Sequence, residues 1–225
     1  MNDAWRVIGN GVDVSALHET STTGSTSATF VCAHGAGGNM HDRGVQAVAR
    51  ELRGRGLDVV RFNFPYTERK SGRPDPMPVL QACIEAVVAH ARAKLSPRAL
   101  IIGGRSMGGR AASMLAADRF DADGLLLLAY PLHPAGKPQQ LRDAHLPRIT
   151  MPALCLNGTR DALCQRDLME AVLPRLGRNF RMHWLESADH SFHVLKSSGR
   201  TDADVMDEMG QTVRAWLDAA NPAAK

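Results

Sequence analysis

The sequence predicts a doubly wound α/β domain, in which helices flank a mostly parallel β-sheet. Two observations lead to this prediction. Short, nearly continuous apolar runs alternate with longer amphipathic stretches along the chain, which is typical of parallel strands buried on both faces. The chain has 225 residues, and a domain of that size buries roughly 70% of its unfolded-state surface without a disulfide or metal. We therefore expect residues 1–225 to form one domain.

Six short apolar runs are predicted to be the strands of this sheet. Each is rich in apolar residues, often β-branched, and is followed by glycine or polar residues, as expected for buried strands. The runs are residues 28–35, 57–64, 98–104, 123–132, 152–158 and 180–187. Residues 11–20 are a further candidate, as an antiparallel strand at the edge of the sheet.

Amphipathic stretches between these runs are predicted to be helices, joined to the strands by right-handed crossovers. In residues 39–56, Val45, Val48 and Leu52 recur at helical spacing and a glycine closes the stretch. The other predicted helices are residues 77–95, the residues after Ser106, residues 165–177 with an end or bend near Pro174, and residues 202–220.

One connection does not fit the alternation of strands and helices. Residues 131–150 are rich in proline and polar residues. The segment is predicted to be either a small cap over a site at the sheet edge or simply a long connection. In either case the sequence leaves room for at most a small cap.

Charge and hydropathy argue against several classes of protein. The net charge is +4, and the basic residues are scattered rather than gathered in a run, so we expect no nucleic-acid partner. The longest apolar run, residues 124–132, is far shorter than the ~20 residues of a membrane helix. The first residues lack the apolar core and cleavage site of a secretory signal. We expect no membrane partner, and the oligomeric state is unknown.

Cysteine usage favours a reducing compartment. The four cysteines show no C-x-x-C spacing, and the chain contains no H-E-x-x-H motif. Two of them, Cys32 and Cys155, lie inside predicted strands and are expected to be small core residues. The simplest interpretation is a cytoplasmic protein without a structural metal.

A serine between glycines marks the turn from a predicted strand to a predicted helix. Residues 104–108 read G-R-S-M-G, a pattern that places Ser106 on a sharp turn at the carboxyl edge of the sheet. Glycine is needed two positions before and after the serine because side chains there would collide with the turn. The alternative is a glycine-lined turn without a nucleophile, including one that cradles phosphate, although the Lys of a phosphate-binding P-loop is absent.

An acid and a histidine follow Ser106 at later strand ends. Asp161 comes directly after one predicted strand and His190 after the next, in the chain order serine, acid, histidine. Such a histidine activates the serine hydroxyl, and the acid orients the imidazole. Three competitors are less suitable: Asp167 lies inside a predicted helix, and Asp189 adjoins His190, whose side chain it is not expected to face. His190 is preferred to His193 because it lies nearer the strand end.

Backbone amides near Ser106 are candidates for an oxyanion hole. One is that of Met107, the residue after the serine. The second is expected in the glycine-rich loop after an early strand, at Ala36 or, as the next choice, Gly37. Each such donor is worth about 2.7–4 kcal/mol of barrier lowering. His34 is expected to brace this loop.

Basic residues near the serine are candidate substrate contacts. Arg105 and Arg110 are candidates to bind a carboxylate or phosphate, with bracing of loops as the alternative for both. His133 and Lys137, in residues 131–150, are candidates to line the entrance of the site.

Five stretches together carry a family resemblance: CAHGAGG, GGRSMGGR, YPLHPAGKP, NGTRDAL and ADHSF. With them the chain resembles the α/β-hydrolase superfamily, and most of all its compact dienelactone-hydrolase-like predicted hydrolases. That group is related to the eukaryotic testis-expressed and KAT8 regulatory complex subunit family. The resemblance implies the α/β-hydrolase fold, Ser106 as nucleophile, Asp161 as acid, His190 as base and no cofactor.

These observations predict a serine hydrolase that cleaves a carboxylic ester or thioester through an acyl-enzyme. The expected partner is a small or mid-sized acyl substrate in an open site. The alternative is a non-catalytic interaction module that retains the fold. A haloperoxidase-like or peptide-cleaving use of the same residues is a third hypothesis.

Overall fold

The computed structural model describes residues 2–9 and 11–220. Within them lie eight strands and six α-helices. The strands are β1 Asn2–Gly9, β2 Val12–Glu19, β3 Ala28–Ala33, β4 Leu57–Phe62, β5 Leu100–Arg105, β6 Gly124–Leu128, β7 Ala153–Gly158 and β8 Phe180–Leu185. The helices are α1 Arg43–Arg53, α2 Pro65–Glu68, α3 Met77–Leu95, α4 Met107–Ala117, α5 Arg166–Val172 and α6 Asp202–Ala220.

All eight strands belong to one sheet, in the order β1-β2-β4-β3-β5-β6-β7-β8. Strands β3 to β8 pair in parallel, whereas β2 pairs antiparallel with β1 and with β4. The prediction of a doubly wound, mostly parallel sheet is therefore confirmed. Because the parallel strands point the same way, the loops after β3, β5, β7 and β8 meet at one edge of the sheet.

The start of the chain differs from the prediction. Residues 11–20 do contain an antiparallel strand, but β2 is the second strand of the sheet, and β1 occupies the edge. In β1 only Val7 is fully buried. An edge strand with so little buried surface leaves no apolar run in the sequence, which is why β1 was not predicted.

Helices cover both faces of the sheet, as the alternation of apolar runs predicts. Successive residues of β3 point to opposite faces, as in any strand. Val31 packs in the cluster that contains residues of α3 and α4. Phe30 packs in the other cluster, with residues of α1 and α6. Both side chains are fully buried, so the sheet is the middle layer of three.

Most predicted helices are found with small changes at their ends. Helices α3 and α6 have the predicted bounds, whereas α1 is shorter at both ends than residues 39–56. Helix α5 ends at Val172 and is followed by a 3₁₀ turn, Leu173–Arg175, that contains Pro174. The short helix α2 was not predicted. No helix among the residues described is long and apolar enough to cross a membrane.

Residues 131–150 contain one regular element, the 3₁₀ turn Leu146–Arg148. Side-chain contacts hold the segment; among them, the Tyr130 hydroxyl donates to the Arg142 carbonyl at 2.6 Å, and Ser113 Oγ on α4 lies 2.7 Å from His145 Nε2. Leu146 is buried. The segment therefore packs on α4, beside the carboxyl edge of the sheet.

Candidate active site

Ser106 occupies a strained turn between β5 and α4. Its backbone has φ 48° and ψ −116°, a conformation that typically costs about 1–3 kcal/mol in a residue other than glycine. A Cβ at position 104 would lie 2.2 Å from the Ala33 carbonyl oxygen, and one at position 108 would lie 2.5 Å from that of His34. Only glycine fits at either position, so the two glycines of the motif allow the close approach of β5 and α4 to β3.

The structure brings Ser106, His190 and Asp161 together. His190 Nε2 lies 2.9 Å from Ser106 Oγ, and His190 Nδ1 lies 2.8 Å from Asp161 Oδ2. The Asp161 carboxylate is acceptor-only when ionised, so Nδ1 carries the proton and donates it to Asp161. The Nε2 lone pair is then free to accept the hydrogen bond of the serine hydroxyl.

Asp161 is fixed by two further hydrogen bonds. Its Oδ1 accepts from the Leu163 backbone N–H at 2.8 Å, and its Oδ2 accepts from Asn157 Nδ2 at 3.0 Å. The Asn157 amide also bonds both the backbone N–H and the carbonyl of Tyr130, each at 3.0 Å. Sequence reasoning missed Asn157, although a buried polar residue at the end of an apolar strand was a usable signal.

Arg105 braces the loop that carries His190. Its Nη2 donates to the His190 carbonyl at 2.8 Å, and its guanidinium lies over the Phe192 ring, 5.3 Å from the centroid. Burial lowers the pKa of Arg105, with the nearby acids acting in the opposite direction. Of the two predicted roles for Arg105, its contacts match the bracing of a loop.

The three competitors for acid and base lie away from the Ser106 hydroxyl. Asp167 is exposed in the first turn of α5. Asp189 Oδ1 accepts from the Ser191 and His193 backbone N–H groups at 2.7 and 3.0 Å, which shapes the loop. His193 Nδ1 pairs with Asp202 Oδ1 at 2.9 Å, and both side chains are mostly exposed.

The glycine-rich loop after β3 is held by His34. Its Nδ1 donates to the Gly35 carbonyl at 2.8 Å, and its Nε2 accepts from the Phe64 backbone N–H at 3.2 Å. Burial lowers the pKa of His34, so the ring is neutral, as this donor-and-acceptor pattern requires. Among the residues described, the backbone N–H groups of Ala36 and Met107 have no hydrogen-bond partner.

Two recesses open on either side of Ser106. The His190-side recess, of about 430 Å³, is also lined by Gly35, Gly44, Val45 and Ser191. The α4-side recess, of about 390 Å³, is lined by Ser106, Met107, Arg110, Arg142 and several apolar residues. Ala36 lines both of these recesses, whereas Gly37 lines neither.

Two predicted substrate contacts lie outside these recesses. His133 is buried, its Nδ1 lies 3.0 Å from the Pro134 carbonyl, and it lines neither recess. The expectation that it lines the entrance is therefore wrong, because the chain turns inward at this point. Lys137 is exposed and also lines neither recess. Of the other two predicted residues, Arg110 lines the α4-side recess and Arg105 lines the His190-side recess.

The cysteines are buried and unpaired. Burial raises the pKa of Cys32 and of Cys83 to about 12, so these thiols stay protonated near neutral pH. In the part of the chain that the structure covers, no group of three or more His, Cys, Asp or Glu residues is arranged to hold a metal ion.

A family model, described as the alpha/beta hydrolase domain, matches residues 26–218. The chain belongs to this family of α/β hydrolases. The match includes the whole site described above and most of the sheet.

Solved structures show the same fold. An alpha-beta serine hydrolase homologue from Coxiella burnetii is 19% identical, with a TM-score of 0.75 over 95% of this chain and 96% of that one. A serine hydrolase without a lid from Xanthomonas campestris is 22% identical, with a TM-score of 0.72 over 99% and 94%. A dienelactone hydrolase from Anabaena variabilis is 19% identical, with a TM-score of 0.74 over 96% of each chain.

Proposed function

We propose that this protein is a serine hydrolase that cleaves a carboxylic ester or thioester through an acyl-enzyme. The observation that carries the proposal is the chain of hydrogen bonds from Ser106 Oγ through His190 to Asp161, at 2.9 and 2.8 Å. Membership of the α/β hydrolase family supports it.

In acylation, Ser106 Oγ attacks the substrate carbonyl carbon while His190 Nε2 takes the hydroxyl proton. Asp161 holds the Nδ1–H and stabilises the imidazolium that forms. The backbone N–H groups of Met107 and Ala36 bind the oxygen that becomes negative in the tetrahedral intermediate. When the carbon–oxygen or carbon–sulfur bond breaks, His190 returns the proton to the departing alcohol or thiol.

Deacylation repeats these steps with water. His190 Nε2 takes a proton from a water molecule, which attacks the acyl carbon, and the imidazolium then protonates Ser106 Oγ as the acid leaves. Every group needed for both steps comes from this chain, so the proposed mechanism requires no cofactor.

Residues 131–150 act in this proposal as a small cap on one side of the site. Pro131, Pro134 and Arg142 of this segment line the α4-side recess, while the His190-side recess has no residue of the segment in its lining. A one-sided cover of this kind suits small and mid-sized acyl groups. We also propose that the protein works in the reducing cytoplasm, where its four thiols stay free, and that it is kin to the testis-expressed and KAT8 regulatory complex subunit family.

The direct test is hydrolysis of p-nitrophenyl esters of increasing acyl length, and of the matched thioesters, by wild type and Ser106→Ala. We expect Ser106→Ala to lower kcat by roughly 10⁴- to 10⁶-fold. Comparison of each ester with its thioester then assigns the preferred bond. Equal rates for the two proteins would overturn the proposal. No turnover of the whole panel by wild type would instead favour a non-catalytic interaction module.

A further inference from the structure

The α4-side recess contains two arginines that lack an anionic partner. Among the residues described, the side chain of Arg110 makes no hydrogen bond or ion pair, and its Nε is buried without a partner. The Arg142 side chain likewise has no hydrogen bond or ion pair within the described chain. Arg148, in the same segment as Arg142, differs because it pairs with Asp118 at 3.3 Å. The two arginines of the recess are therefore free to bind something else.

The acids nearest in sequence to its lining residues, Asp75 and Asp143, do not line this recess, and each pairs with another arginine, although Asp75 Oδ2 is buried without a partner. Asp75 pairs with Arg69 at 2.5 Å, and Asp143 pairs with Arg175. Burial lowers the pKa of Arg142, and the positive charge of Arg110 lowers it further. Two partly buried positive charges that repel one another are unfavourable without an anion between them or beside them.

The neighbouring titratable groups do not compensate this charge. Burial lowers the pKa of His145 to about 4, and the charges of Arg110 and Arg148 act in the same direction, so His145 is neutral. Burial raises the pKa of Tyr130, so its hydroxyl stays protonated and donates to the Arg142 carbonyl. His145 and Tyr130 therefore supply no negative charge to this recess.

In the proposed mechanism, the alcohol and the acyl group of the substrate lie in different recesses. His190 must give its proton to the departing alcohol, so the alcohol lies in the recess that His190 lines. The acyl group then lies on the other side of Ser106, in the α4-side recess. Met77, Pro131 and Pro134 give this recess apolar walls, which suit a short methylene chain.

We propose that the natural acyl group ends in a carboxylate, which Arg110 and Arg142 bind, so that the substrates are half-esters or half-thioesters of short dicarboxylic acids. This inference rests on the proposed function. In the reaction, the bond from Ser106 Oγ to the esterified carbonyl carbon forms and the bond to the alcohol or thiol breaks, with His190 passing the proton. The distant carboxylate takes no part in the bond changes. It anchors the chain through charge-assisted hydrogen bonds.

Three small esters test the position of the charge. They are monomethyl glutarate, with the carboxylate on the acyl side; its isomer, the acetate ester of γ-hydroxybutanoate, with the carboxylate on the alcohol side; and uncharged methyl pentanoate. We expect wild type to show a kcat/KM for monomethyl glutarate that is roughly ten- to a hundredfold higher than for either of the others. A preference for the uncharged ester or for the isomer would overturn the inference.

Three arginine variants test which residues bind the carboxylate of the substrate. Arg110→Gln and Arg142→Gln should each lower the ratio of kcat/KM for monomethyl glutarate over methyl pentanoate toward one. Arg148→Gln, on the same segment but paired with Asp118, should keep the wild-type ratio. Thermal melts identify any variant that does not fold, and two independent arginines keep the test decisive.

Inhibition by free glutarate provides a measurement that needs no variant. We expect competitive inhibition of methyl pentanoate hydrolysis by glutarate and much weaker inhibition by pentanoate. Equal inhibition by the two acids would contradict the inference while leaving the serine hydrolase itself intact. If none of the three esters shows turnover that depends on Ser106, the proposed function fails as well, so the two failures are distinguishable.

Discussion

Two histidine–aspartate pairs have similar distances between the imidazole and the carboxylate, but they differ in burial and in their contact with Ser106. His190 Nδ1 lies 2.8 Å from Asp161, and His193 Nδ1 lies 2.9 Å from Asp202. The Asp161 side chain is 0% exposed, whereas the Asp202 side chain is 58% exposed. Only the His190 ring also contacts the Ser106 hydroxyl.

The comparison shows that the pair itself does not define a site. Water and salt screen the exposed pair, so it contributes little to stability. The buried carboxylate of Asp161 interacts with His190 in a less polar environment, and its other hydrogen bonds fix its orientation. In the proposed mechanism, burial of the aspartate and contact with Ser106 allow the His190–Asp161 pair to transfer a proton.

The largest expected effect is a fall in kcat that distinguishes His190 from His193. His190→Ala removes the proposed base, so we expect kcat to fall by roughly 10⁴- to 10⁶-fold on any p-nitrophenyl ester that wild type hydrolyses. His193→Ala is the matched control, a histidine paired with aspartate but away from Ser106. Its kcat should stay close to that of wild type. A similar loss in both variants would remove the distinction between the pairs.

A smaller fall in kcat is expected when the hydrogen bond that Asn157 donates to Asp161 is removed. Asn157→Ala removes the hydrogen bond to Asp161 Oδ2, and the carboxylate can then rotate. Since small misplacements of a reacting group can cost about a hundredfold, we expect kcat to fall roughly ten- to a hundredfold with little change in KM.

Asn179→Ala is the control for this positioning role. Asn179 is half-buried and donates to the backbone carbonyls of Ile149 and Met151, so its loss lowers stability without contact to Asp161. Both variants should lower Tm, but only Asn157→Ala should lower kcat at a temperature where each is folded. A kcat loss that follows Tm in both variants would assign Asn157 a purely structural role.

The smallest effect concerns the exposed pair and its pH dependence. Asp202 raises the pKa of His193, mainly through their hydrogen bond, and His193 together with the Val194 N–H lowers the pKa of Asp202. The stabilisation that charged His193 contributes is fully present at pH values below its pKa in the unfolded chain. It is lost as the pH rises through the raised pKa that His193 has in the folded protein. The stabilisation that ionised Asp202 contributes is fully present at pH values above its pKa in the unfolded chain. It is lost as the pH falls through the lowered pKa that Asp202 has in the folded protein.

The Tm difference between wild type and His193→Ala should therefore be largest between about pH 5 and 6, where both groups are charged in the fold. It should shrink above neutral pH. In the Asp202→Asn background, the same substitution should have a much smaller pH-dependent effect, because Asp202 is the largest cause of the raised pKa of His193, as a double-mutant cycle would show. A pH-independent difference in both backgrounds would contradict the assignment.

Local signals account for most of what the sequence predicts well. Helices α3 and α6 have long periodic patterns, and Ser106 has its glycines on both sides within one short stretch. Residues whose role depends on distant neighbours were harder to predict. Arg105 was expected to bind substrate or brace a loop, and only the fold shows that the His190 carbonyl lies within its reach.

Dependence on distant neighbours also explains why other residues of the site and its surroundings were predicted wrongly or not predicted. His133 follows a buried strand and turns inward, which no local pattern indicates. Arg142 lies in an irregular segment without periodicity, and its approach to Arg110 results from the packing of residues 131–150 on α4. Asn157 gains its role from Asp161 and from Tyr130 on the neighbouring chain segment, contacts that arise only once β6 and β7 are paired.

Labelling with a fluorophosphonate probe, followed by mass spectrometry of the peptides, tests the central claim most directly. We expect one adduct in wild type, on Ser106, no adduct in Ser106→Ala, greatly slowed labelling in His190→Ala and a wild-type rate in His193→Ala. Equal labelling of wild type and Ser106→Ala, or an adduct on another residue, would contradict the account.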